Sequence, residues 1–140
     1  MNKYMEEAKR QSEMSTCLRR RVGAVVVKDD NVLIKGYNKG TKEIKSCIDV
    51  GCIRNKLNIP HGERREICRY ICAEQVIVSD AARIGISLND ACIYITSYPC
   101  SICAKLLINA GIKKIICMNS YKDKLSEYFI KKAGVEIEII

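Results

Sequence analysis

Residues 72–118 read CAEQVIVSDAARIGISLNDACIYITSYPCSICAKLLINAGIKKIICM, and their pattern decides the fold. Cys72 to Ile84 reads as a helix closed near Gly85. Ala91 to Thr96 reads as a strand. Tyr98-Pro99 then turns the chain into a second helix, about Cys100 to Ala110, which ends at Gly111. Lys113 to Met118 is the next strand. Helix and strand in alternation imply α/β layers with parallel crossovers around a mixed sheet.

The same stretch carries the chemistry. Cys72-Ala73-Glu74 opens the first helix, and Pro99-Cys100-Ser101-Ile102-Cys103 opens the second, with Cys100 28 residues after Cys72. One helix, one strand and a turn fill that gap, so the two clusters meet in space. Cys100 and Cys103 are three apart and share a helix face. Helix N-termini stabilise thiolates through their partial positive charge and free amides. Cys72, Cys100 and Cys103 can hold a zinc ion and leave its fourth position open. Zinc so held acidifies water, and Glu74 can take the proton and return it to a substrate ring and a leaving amine. The matching reaction is hydrolytic removal of an exocyclic amine from a nucleobase-like ring. A closed structural zinc knuckle needs a fourth ligand, and neither cluster offers one nearby.

Outward from this stretch, residues 3 to 15 look helical and amphipathic, with Met5, Ala8 and Met14 facing inward. Val22 to Val27 reads as a buried strand, residues 28–31 as a turn, and Val32 to Tyr37 as the hairpin partner. Asn38 to about Pro60 is a long irregular connection, of the kind that is functional, held by something, or disordered. Asp123 to Ala133 is a helix capped by Gly134, and Val135 to Ile139 is the last strand.

The 140 residues fit one domain with a real core. Nine cysteines and no signal peptide argue against a secreted disulfide scaffold and for a reducing cytoplasm, where metal binding is the better use of cysteine. No apolar run is long enough to cross a bilayer. The net charge of +8, with basic clusters at Arg19-Arg20-Arg21 and at Arg64, Arg65 and Arg69, favours an anionic partner.

These residues closely resemble the cytidine and deoxycytidylate deaminase superfamily. The zinc motif is that of the zinc deaminases in its all-cysteine form. Residues 16–27 look like the first strand region of deoxycytidylate deaminases, and Lys35-Gly36-Tyr37-Asn38 like their Gly-Tyr-Asn segment. Residues 51–54, 56–60 and 62–64, and Ile108 to Ile115, are similar to further segments of that group. The resemblance covers nearly the whole chain. It implies a three-layer α/β/α sandwich with a five-stranded mixed sheet over residues 1–140. It also implies conversion of dCMP to dUMP and assembly as a dimer or hexamer. Cys72, Cys100 and Cys103 carry over as zinc ligands, Glu74 as the proton shuttle, Asn38 as a sugar contact and the Ala73 backbone as a reader of the base edge.

The first ligand departs from the deoxycytidylate group, which has histidine where this chain has Cys72. Cys-Ala-Glu resembles small cytidine deaminases and blasticidin deaminases, so a nucleoside or modified-cytosine deaminase is the second reading. A nucleic-acid base editor needs aromatic side chains for stacking, and this chain has no Trp and one Phe. A zinc-stabilised interaction module without catalysis would have no use for Glu74.

Cys17, Cys47, Cys52 and Cys68 remain. A second, structural zinc on these four would pin the long connection, with His61 as an alternative fourth ligand. Cys92 and Cys117 fall in strands as small core residues. Arg19, Arg20 and Arg54 are candidates for a phosphate. Tyr98 and Tyr121 could stack on a base or simply pack.

Overall fold

The alternation after Cys72 is realised in a computed structural model, which describes residues 2–118 and 123–140. In chain order the elements are α1 (Lys3–Glu13), β1 (Gly23–Lys28), β2 (Asn31–Tyr37), β3 (Lys39–Gly40), α2 (Cys47–Val50) and α3 (Ile53–Lys56). A 3₁₀ turn (Arg65–Ile67), β4 (Tyr70–Ile71), α4 (Ala73–Ile84), β5 (Cys92–Ile95) and α5 (Ser101–Asn109) follow, then β6 (Lys114–Cys117), α6 (Lys124–Lys132) and β7 (Glu136–Ile139).

The main sheet has five strands in the order β2-β1-β5-β6-β7. β1 is antiparallel to both β2 and β5, whereas β5, β6 and β7 run parallel. This is the mixed sheet expected from the alternation: the hairpin supplies the antiparallel edge, and the helix crossovers supply the parallel half.

Strand periodicity splits the core in two. Ala24, Val26, Ile93, Ile95 and Ile115 face α4 and α5, meeting Ile77, Ala81, Ala104 and Leu107. Val25, Val27 and Ile116 face the other way, onto Tyr4, Met5 and Ala8 of α1. Burying an aliphatic side chain of this size contributes roughly 1.5–3 kcal/mol, and β1 is buried on both faces because helices cover both. The approach of α1 is so close that a Cβ on Gly23 would overlap the Ala8 carbonyl oxygen and the Ser12 amide.

Four expectations change. Met14 is 56% exposed, because α1 ends at Glu13 and Met14 only caps it. The connection after Asn38 is not irregular throughout: it holds β3, α2 and α3, and Ser46 Oγ caps α2 by accepting from the Ile48 amide at 3.1 Å. Cys117 is fully buried, but Cys92, at the start of β5, is only half-buried. Tyr98 is a core residue 5% exposed, so it packs and does not stack on a base. Tyr121 lies outside the described residues. Among the described residues no helix is long and apolar enough to cross a membrane.

Candidate functional site

Two helix starts carry the first set of thiols. Cys72 is the N-cap of α4 and Cys100 the N-cap of α5, each in extended backbone, and Cys103 is buried in the first turn of α5. Gln75 Oε1 accepts from the Cys72 amide at 2.7 Å, locking the α4 start. The Ala104 amide donates to the Cys100 carbonyl at 2.8 Å. α6 braces the other side: the Ser126 hydroxyl donates to the Pro99 carbonyl at 2.7 Å, and Asp123 accepts from the Ser101 amide at 3.3 Å.

Cys72, Cys100 and Cys103 lie close enough for each thiol to perturb the others. The neighbouring Cys103 and then Cys72 thiols push the Cys100 thiol down to about 2. Cys72, beside Cys100, is pushed up to about 12, and Cys103 is raised by the same contacts. Glu74, in the first turn of α4, is 5% exposed. Burial raises its carboxyl to about 7, with the Cys100 thiolate adding in the same direction.

The donor set suits a soft divalent ion. Zinc–sulfur bonds of about 2.3 Å at tetrahedral angles set sulfurs roughly 3.8 Å apart, close to the reach of a thiol hydrogen bond. Among the described residues no three or more His, Cys, Asp or Glu side chains stand as a ready-spaced metal shell. The residues fit zinc by the chemistry of their donor set, three thiols at two helix starts.

Two arginines flank this set. Arg20 is half-buried, and burial lowers its affinity for a proton. Burial acts the same way on Arg65, but the charges of Cys100, Cys72, Cys103 and Glu74 more than offset it, and the net shift is upward. Arg65 was not among the sequence candidates, since no spacing rule links residue 65 to thiols at 100 and 103. Arg19 and Arg54 are engaged elsewhere. Arg19 donates to Asn55 Oδ1 and the Ile59 carbonyl, each at 2.6 Å, and staples the long connection. Arg54 is buried against Cys68.

Asn38 and Ala73 come to the same region. β3 pairs with β4 so that Lys39 faces Ile71, which brings Asn38 beside Cys72. Asn38 is 9% exposed. Its Nδ2 donates to the Arg20 carbonyl and its Oδ1 accepts from the Val22 amide, both at 2.9 Å, leaving one N–H and one lone pair. Ala73 is fully buried at the start of α4.

Cys17, Cys47, Cys52 and Cys68 line one cavity of about 30 Å³, roomy enough for a single ion. Tyr70 organises its rim: the Cys47 amide donates to its hydroxyl at 3.1 Å, and the hydroxyl also bonds Thr16 and Ser46. His61 is exposed and does not line this cavity.

The model of the cytidine and deoxycytidylate deaminase zinc-binding region matches residues 1–119. Deoxycytidylate deaminase of Schizosaccharomyces pombe is 30% identical over 135 residues, which cover 96% of this chain and 42% of that protein. ComE operon protein 2 of Bacillus subtilis is 33% identical over 125 residues, covering 89% of this chain and 62% of that protein. The chain thus spans about half the length of these curated relatives. The crystal structure of dCMP deaminase from cyanophage S-TIM5 with dCMP and dUMP is 26% identical, with a TM-score of 0.78, and covers 100% of this chain and 99% of that one.

Proposed function

Because this chain belongs to the cytidine and deoxycytidylate deaminase family, we propose that it hydrolyses the exocyclic amine of a free pyrimidine nucleotide, taking dCMP and water to dUMP and ammonia. The observation that carries this reading is the pairing of a buried carboxyl, Glu74, with three thiols gathered at two helix starts. Cys72, Cys100 and Cys103 are the zinc ligands. Bound there, zinc supplies the polarisation that makes water nucleophilic near neutral pH. Glu74 accepts a proton from the attacking water and returns it to the ring and then to the leaving amine. A carboxyl held near 7 can do both at neutral pH. The Ala73 backbone reads the base edge, and the unused N–H and lone pair of Asn38 meet the sugar. Arg20 and Arg65 offer guanidinium groups to the phosphate.

A second, structural zinc on Cys17, Cys47, Cys52 and Cys68 belongs to the same reading. The cavity that these four line supports it, and a closed four-sulfur shell would pin the connection between β3 and β4. The family reading further carries one deaminase domain over residues 1–140, a homo-oligomer, and a cytoplasmic setting that keeps the nine cysteines reduced.

The test is to load the protein with zinc and follow loss of the cytosine absorbance with dCMP and deoxycytidine side by side. A strong preference for dCMP is expected. Equal or faster turnover of deoxycytidine would move the assignment to the nucleoside class that Cys-Ala-Glu resembles.

A further inference from the structure

The four-cysteine cavity holds a charge that the deaminase reading does not use. Arg54, on α3, is 8% exposed. Its Nη1 donates to Cys68 Sγ at 3.4 Å, while its buried Nε has no hydrogen-bond partner. Among the described residues no carboxylate forms an ion pair with it; Glu66 senses its charge but is exposed and paired with Arg64. A guanidinium cannot shed its proton. A cation taken out of water without a counter-charge is strongly disfavoured. The cavity that Arg54 lines holds four sulfurs and no carboxylate, beside Ile53, Tyr70 and two further arginines, Arg19 and Arg69, so negative charge there has to come from sulfur.

The sign of the effect on metal binding follows from charge counting. Four thiolates and a divalent ion sum to −2. A fixed cation in contact favours that anionic shell, and Arg54 takes the sum to −1 before the half-buried Arg19 and Arg69 that also line the cavity are counted.

We propose that Arg54 is the built-in counter-charge of the four-cysteine site, donating to Cys68 and favouring a shell of four thiolates around a divalent ion. This rests on the second-zinc reading above. A donor behind a metal ligand orients that ligand, and its loss typically weakens metal binding by about 10–100-fold.

The experiment uses the full chain. Zinc per chain is measured by elemental analysis, affinity by competition with a chromogenic chelator, and thiolate ligation by the sulfur-to-metal absorption of the cobalt form. Wild type is expected to hold two ions per chain, one of them lost in Cys52→Ser. Arg54→Met should weaken that same ion by about 10–100-fold, and Arg54→Lys, which keeps the charge, by less than about tenfold. After chelation the sign should reverse: metal-free Arg54→Met melts no lower than metal-free wild type, because a buried unpaired cation has gone. A residue that merely packs would lower the melting temperature equally with and without metal, and that result, or unchanged affinity in Arg54→Met, overturns the proposal. Should Arg54→Met not fold, a loss of tenfold or more in Arg54→Lys overturns it instead. One ion per wild-type chain, unaffected by Cys52→Ser, overturns the four-cysteine reading and not the role of Arg54 alone.

Discussion

At Glu74 the surroundings do as much as the side chain. The carboxyl lies in the first turn of α4, 5% exposed, and burial lifts its pKa to about 7. On the proposed mechanism, Glu74→Gln keeps the shape and the neighbouring thiols but cannot move a proton. It is expected to retain zinc and fold while kcat falls by about two to four orders of magnitude. Zinc content and turnover measured on the same sample check this, and unchanged turnover would overturn the role of Glu74. Three thiolates leave a divalent ion with one net negative charge, where a histidine and two thiolates leave none. Arg65 and Arg20 stand where they can offset that extra charge. Arg54 plays the corresponding part at the other cysteine cluster.

The elements matter here for what their ends hold. The thiols of Cys72 and Cys100 sit at helix N-caps, where φ and ψ are extended and free amides point at the incoming group. α6 contributes by bracing Pro99 and Ser101, so the helix farthest along the chain stiffens the start of α5. At the opposite face, α1 presses on the first residue of β1. Gly23→Ala should clash with backbone of α1 at Ala8 and Ser12, which no rotamer change can relieve. The expected loss is about 1–3 kcal/mol of stability, read as a lower urea midpoint with unchanged slope. An unchanged midpoint would mean that α1 does not dock at this distance.

Across the whole molecule, stability should depend on buried groups that stay neutral. Burial holds the Cys117 thiol up to about 11 and the Tyr98 hydroxyl up to about 12, against ordinary values of 9.0 and 10.0. Each raised group keeps its proton in the folded state after the unfolded chain has lost it. Its contribution is therefore complete below the ordinary value and is lost as pH rises through the folded one. Under reducing conditions the urea midpoint should fall between about pH 9 and about pH 12. A flat midpoint would contradict the burial of both groups. The sequence by itself determined the order of helices and strands from Cys72 onward and the parallel half of the sheet, because period and Gly or Pro breaks are local signals. It also placed Cys72 with Glu74, and Cys100 with Cys103, at two helix starts, since each of those spacings is a short-range pattern. It missed β3, α2 and α3, whose one or two turns are too short to show a period. Only the tertiary structure decided which arginine meets which sulfur. Arg65 reaches the thiols on α4 and α5, Arg54 is buried against Cys68, and Arg19 ties down the long connection. Those pairings join residues 7 to 40 positions apart through a loop with no repeat. Charge and packing in three dimensions select them, and no spacing along the chain encodes that choice.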